Sequence, residues 1–272
     1  MLKKLTLFFL SIGLITLAIQ ATAAPRQFDI ELILFKRNNP KPTGEYWNPD
    51  QQKLSISPKQ WLLKPLLNCS NCDTTPLAQI PTVINGQGWP KSGPTPLQVL
   101  PASQFGLNTQ WQTLLNHAAF TPLLHIVWRE SVPSRRKSTY LGIMAGKRLP
   151  EDLRNTSNAP KWEVEGGIRI YLQHYLYIDT QLLYTEVKKE LRPETPYPLV
   201  AKDTTSEQQP ENDDVIVSTP EPVKSATQTF DEQLVSYKLD QKRRVRSGEI
   251  HYFDHPKIGI LIQIRKAKTP ES

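Results

Sequence analysis

Cysteine is nearly absent: the 272-residue chain has only Cys69 and Cys72, separated by Ser70 and Asn71. A single C-x-x-C without a second pair argues against a structural zinc site. Glycine is scarce, at 12 residues, and neither G-x-G-x-x-G nor a P-loop pattern occurs. This sets aside nucleotide-binding folds built on Gly-rich phosphate loops. Hydrolase signatures are missing too: there is no G-x-S-x-G and no H-E-x-x-H. Nor does any run of about 20 apolar residues, the length of a membrane span, occur. The most apolar segment includes Leu5 to Ala18, 14 residues without a charge.

That stretch follows Lys3 and Lys4 and precedes Ala21-Thr22-Ala23, the pattern of a cleaved secretory signal. No cysteine follows it, so lipid modification is not expected. Cleavage after Ala23 leaves 249 residues and lowers the formal charge from +7 to +5, giving an exported protein. Nucleic acid is a poor partner there; acidic wall polymer, membrane surface and other proteins suit a moderate basic excess better. In an oxidising compartment Cys69 and Cys72 are expected to close a small disulfide. A thioredoxin-type redox pair would need the start of a helix after a strand, whereas Pro65 and Pro76 flank this one.

Proline is abundant, at 24, and ten prolines fall between Pro40 and Pro96. This predicts a long, turn-rich excursion anchored by Trp47, Trp61 and Trp89. Ahead of it, Arg26 to Lys36 alternates, with Phe28, Ile30, Leu32 and Leu34 on one face and Asp29 and Glu31 on the other, so it predicts a strand with one buried side. Leu107, Trp111, Leu114, Leu115 and Ala118 recur at helical spacing within Ala102 to Ala119, predicting the one main helix. Leu123 to Glu130 predicts a second strand, and Ser131 to Ala159 a mobile loop. Ile168 to Asp179 alternates again, with an apolar even face and an odd face of Arg169, Tyr171, Gln173, Tyr175, Tyr177 and Asp179. Asp179-Thr180 reads as a turn, with Leu182 to Lys189 returning as the partner strand.

From Asp203 to Glu232 eight acids face one base, Lys224, which marks an acidic low-complexity linker or insertion over 192–232. Leu234 to Val245 and Ile258 to Ile264 read as strands, so 233–272 is expected to complete the domain begun by 24–191, after a signal peptide over 1–23. The expected class is α+β: an antiparallel or mixed sheet with one main helix packed on it.

Two regions could carry a ligand. Tyr171, Tyr175 and Tyr177 would stack on the C–H faces of sugars, with Arg169 and Gln173 holding carboxylate or amide groups; alternatively this face packs beneath the Pro-rich excursion or a second helix. Arg243, Arg244 and Arg246 offer guanidinium forks for carboxylates. Just beyond them, Glu249, His251, Tyr252, Asp254, His255 and Pro256 read as a hydrogen-bonded structural turn, with Glu249 pairing a neighbouring arginine. His251 and His255 would converge on a metal only in a helix, which Pro256 and the alternating neighbours oppose. Neither metal nor cofactor is expected, and no activated nucleophile or acid pair points to an enzyme.

Several blocks together resemble the CsiV family of peptidoglycan-binding proteins of Gram-negative bacteria. They are Phe28 to Arg37, Pro122 to Arg129, Gly167 to Tyr177, and above all Arg243-Arg244 through Ser247-Gly248-Glu249, His251-Tyr252 and Asp254-His255-Pro256 to Gly259. The resemblance runs over nearly the whole mature chain in order. It implies a periplasmic, non-enzymatic protein that binds peptidoglycan and supports cell-wall synthesis. It further implies that the protein acts with an outer-membrane lipoprotein activator of a class A penicillin-binding protein. An exported protein-interaction module without glycan affinity is the other reading of the same surface.

Overall fold

In the computed structural model, the described residues are 26–38, 52–63, 77–86, 97–154, 159–191 and 230–267. The apolar leader, Cys69 and Cys72, Trp47, Trp89 and residues 192–229 lie outside them. The chain order is β1 (Gln27–Arg37), β2 (Gln60–Trp61), β3 (Val83–Ile84), β4 (Gln98–Val99), helix α1 (Asn108–Leu115) and β5 (Phe120–Ser131). It continues with β6 (Leu141–Arg148), β7 (Trp162–Leu172), β8 (Leu176–Leu191), β9 (Phe230–Val245), β10 (Ile250–Asp254) and β11 (Ile258–Lys266).

These strands form two sheets. Sheet A has the order β10-β11-β1-β5-β3, with β4 also along β5; sheet B has the order β2-β6-β7-β8-β9. The even residues of β1 (Phe28, Ile30, Leu32, Leu34) and the isoleucines of β11 (258, 260, 262, 264) share one buried cluster with Ile168, Ile170, Ile178, Leu182 and Leu239 of sheet B. The core therefore lies between two sheets, as in a sandwich. Each such Ile or Leu contributes about 1.5–3 kcal/mol by leaving water, so the C-terminal strand carries a share comparable to the whole net stability of a domain.

The α+β expectation is overturned. Strand makes up 59% and helix 7% of the described residues, in two sheets with one α-helix among them. The 102–119 periodicity resolves into a single 3-10 turn, Ala102–Gln104, and the eight-residue α1. Phe105 and Gly106 interrupt it. Meanwhile the segment predicted as a mobile loop supplies β6, whose first six residues are all buried. Leu141-Gly-Ile-Met-Ala-Gly has no period-2 alternation to betray a strand, because both of its faces are covered.

The second face of β1 is also buried rather than solvated. Ile33 and Phe35 pack with Leu107, Trp111 and Leu114, while Asp29 is 6% and Glu31 0% exposed. Partners make this burial tolerable. Arg129 grips Asp29 with two hydrogen bonds of 2.6 and 2.9 Å. Glu31 accepts from the Gly106 and Leu107 amides (2.7 and 2.8 Å) and from Arg265 (2.6 Å), and bonds His125 at 2.8 Å. Burial opposes charge on Glu31, but these bonds outweigh it and lower its pKa. Leu107 has no capping side chain, so a β1 carboxylate satisfies the amides leading into α1 from across the chain.

The hairpin turn is also relocated. β7 ends at Leu172, β8 starts at Leu176, and Gln173 N donates to Tyr175 O at 3.0 Å across the tip. Asp179 and Thr180 sit inside β8, opposite Arg169 and Ile168.

Candidate functional site

The relocated turn changes what the tyrosines are. Instead of one ladder along a single strand, Tyr171 and Tyr177 face each other across the hairpin and stack, with centroids 5.3 Å apart and planes 10° from parallel. Arg169 likewise faces Asp179 and ion-pairs with it, while the Tyr171 hydroxyl donates to Asp179 Oδ1 at 3.3 Å. Burial works against charge on Arg169, but its bond to Asp179 and the nearby Tyr140 phenol more than compensate and raise its pKa. Arg169 also lies over the Tyr140 and Tyr171 rings, 4.8 and 5.5 Å from their centroids. Tyr171 is fully buried and serves as the floor.

The accessible layer stands on this floor. Tyr175, at the hairpin tip, is 53% exposed, and the Arg244 guanidinium lies 4.6 Å from its ring centroid. Lys242 lies 5.8 Å from the Tyr177 ring, and Arg135 is 6.0 Å from that of Tyr171. Gln173, His174, Tyr175 and Tyr177 line an open cleft of about 350 Å³ at the tip. Lys242, Arg244 and Arg135 are exposed and make no ion pair among the described residues. The outcome is an outer sheet face on which aromatic rings alternate with uncommitted cations.

The C-terminal arginines do not act together. In the register of β9, Arg244 lies opposite Tyr177 and Arg243 opposite Ile178, so the two point to opposite sides of sheet B. Arg243 donates to the Tyr252 carbonyl at 2.7 Å and lies over Phe253, joining sheet B to β10. Arg246, beyond the strand, makes a loose 3.5 Å ion pair with Glu249, and its backbone N–H donates to His251 Nε2 at 3.1 Å. Arg37 donates to both Tyr252 Oη and Asp254 Oδ1 at 2.7 Å, and the Tyr252 hydroxyl donates to Asp254 at 2.6 Å. His255 Nδ1 accepts from Lys257 N in the turn into β11. Thus Arg244 belongs to the tyrosine face, while Arg243 and the Tyr252–Asp254 group hold β10 in place.

Sequence reasoning overlooked Arg135, Tyr140 and Lys242. Arg135 and Tyr140 lie between β5 and β6 without periodicity, and Lys242 joins the face only through strand register. Among the described residues no three metal-ligand side chains cluster, and no helix is long and apolar enough to cross a membrane.

Fold and face together define a class: a two-sheet β protein with an open aromatic and cationic surface, suited to an extended ligand rather than an enclosed substrate. The chain belongs to the CsiV family. The family's model, described as a peptidoglycan-binding protein, matches residues 7–267. Neither curated proteins nor solved structures give a match. Membership makes this one of a family that binds peptidoglycan, a polymer lying outside the cytoplasm.

Proposed function

We propose that the chain is a periplasmic, non-enzymatic accessory protein that binds peptidoglycan through the outer face of sheet B at the β7–β8 hairpin. The observation that carries this is the pairing of Tyr175 with Arg244 and of Tyr177 with Lys242, rings and cations held together with no ion pair to the cations among the described residues. Sugar C–H faces stack on the rings, and stem-peptide carboxylates meet the cations. The mature chain starts at Ala24 and folds as one unit, with the acidic 192–232 stretch as an insertion. It supports cell-wall synthesis and cell shape, working with an outer-membrane lipoprotein activator of a class A penicillin-binding protein.

Co-sedimentation with purified sacculi tests the reading. The mature protein should pellet with sacculi, and a Tyr175→Ala/Lys242→Ala/Arg244→Ala variant of unchanged fold should remain mostly in the supernatant. Salt separates the two contributions, because exposed charges are screened beyond about 8 Å at 0.15 M. Binding dominated by cations falls as salt rises, whereas binding dominated by rings persists. If the wild-type protein fails to pellet at any ionic strength, the alternative of a protein-interaction module without glycan affinity takes its place.

A further inference from the structure

Tyr140 borders a second feature as well as the tyrosine face. A recess of about 280 Å³ opens between the sheets, with Trp128 and Glu130 of β5 on one side, Ile168 and Ile170 of β7 on the other, and Lys137 and Tyr140 at its mouth. Glu130 is reached by solvent yet enclosed by protein on most sides, makes no ion pair among the described residues, and has the Trp128 indole as a hydrogen-bonding neighbour. Burial pushes its carboxyl up to about 7, with the nearby Trp128 indole opposing. Trp128 itself is 0% exposed, and its Nε1–H has no well-formed hydrogen bond. Buried polar groups are ordinarily satisfied. Here an acid and a fully buried N–H donor, joined to each other only by a poorly aligned bond, line the same cavity.

We propose that this recess binds an amino-acid zwitterion, either a free amino acid or the end of a diamino-acid side chain in a peptide, its ammonium on Glu130 and its carboxylate on the Trp128 indole N–H, facing Lys137. The volume supports a small guest, since it falls just below the 300–1,000 Å³ of pockets that enclose whole drug-sized ligands. An amino-acid unit fits; a disaccharide with its peptide does not. Chemistry points the same way. The N-acetylated sugars of peptidoglycan carry no ammonium group, whereas the diamino acid of its stem peptides, where not cross-linked, ends in a free amine and a carboxylate on one carbon. The inference rests on the peptidoglycan reading and deepens it: the glycan lies on the tyrosine face, and the stem peptide reaches past Tyr140 into the recess.

The same ligand chemistry is offered by a free amino acid, so the test carries both sources. The mature protein is titrated calorimetrically with purified stem tetrapeptide, with free alanine, and with glycan strands stripped of peptide. The tetrapeptide should bind. Its affinity should rise about tenfold per pH unit below 7 and level off above, because the ammonium needs the ionised Glu130. Lys137 and Tyr140 are the other titratable groups lining the recess, and burial pushes the Tyr140 phenol up, away from that range. Glu130→Gln should weaken tetrapeptide binding about tenfold to a hundredfold, the loss of one charge-assisted bond, and should flatten the pH profile. Lys137→Ala, at the exposed rim, should weaken it several-fold. Peptide-free glycan should bind wild type and Glu130→Gln alike. Alanine binding as tightly as the tetrapeptide would keep the site but make free amino acid its ligand. If sacculi bind while the tetrapeptide does not, or if Glu130→Gln binds it like wild type, the recess proposal is overturned and the tyrosine face stands. If sacculi do not bind at all, it is the peptidoglycan reading that falls.

Discussion

Replacing Glu130 by Gln is expected to stabilise the empty protein, and by an amount set by pH. Burial raises this carboxyl from an ordinary 4.5 to about 7, so the native state holds the proton more tightly than the unfolded chain. Below about pH 4.5 both states are protonated and Gln gains nothing. Between 4.5 and 7 the native state binds more protons than the unfolded one, so the wild type loses stability as pH rises. Above 7 the loss is complete. A difference of 2.5 pH units at 1.36 kcal/mol each gives up to about 3 kcal/mol. Gln keeps the shape and never carries the charge, so it recovers that amount at pH 8 and very little at pH 5. In urea unfolding followed by tryptophan fluorescence, this is a midpoint shift of about 1 M at pH 8, taking an m-value of about 2–3 kcal/mol/M. Equal midpoint shifts at pH 5 and pH 8, or a less stable variant at pH 8, would refute the reasoning.

His255 should act in the opposite direction. Burial depresses its pKa to about 4, with Asp254 opposing and Lys257 and Arg37 reinforcing, so the native state resists a proton that the unfolded state accepts. Stability should fall by up to about 3 kcal/mol as pH drops from 6.5 to 4, and His255→Gln should show a smaller decline in acid titrations monitored by circular dichroism. An unchanged acid profile would remove His255 from the account. Glu31→Ala strands Arg265, His125 and two amides, and should destabilise by about 3–5 kcal/mol, the usual result of breaking a buried ion pair; a loss under 1 kcal/mol in chemical denaturation would show that the cluster is dispensable. Truncation after Lys257 removes β11 from between β10 and β1, and should abolish cooperative thermal unfolding. A truncated chain with a sharp transition would contradict the role given to the last strand.

Period-2 alternation exposed β1, β11 and the apolar side of β7 and β8, because each has a continuous face turned to the shared core. It failed wherever neither face met water. β6 is such a case, and the acids of β1 are another: Asp29 and Glu31 look like a solvated edge until Arg129 and Arg265 arrive from distant strands. The hairpin was misplaced for a related reason. Asp179-Thr180 has turn chemistry, but Asp179 is committed to Arg169 and Tyr171, whereas Gln173-His174-Tyr175 turns the chain without glycine or proline. Of the candidate site, the tyrosines and Arg169 were legible as one face because a three-residue turn preserves their parity. That Arg243 and Arg244 separate, and that Lys242 and Tyr140 join, depends on register and on a loop, neither of which leaves a local pattern.

Oxidative footprinting of the mature protein, free and bound to sacculi, tests the central claim most directly, since hydroxyl radicals label accessible tyrosines. The account predicts that Tyr175 and Tyr177 become protected on sacculi while Phe230, exposed at the far end of β9, keeps its labelling. Unchanged labelling of Tyr175 and Tyr177 on bound protein, with protection appearing elsewhere, would contradict it.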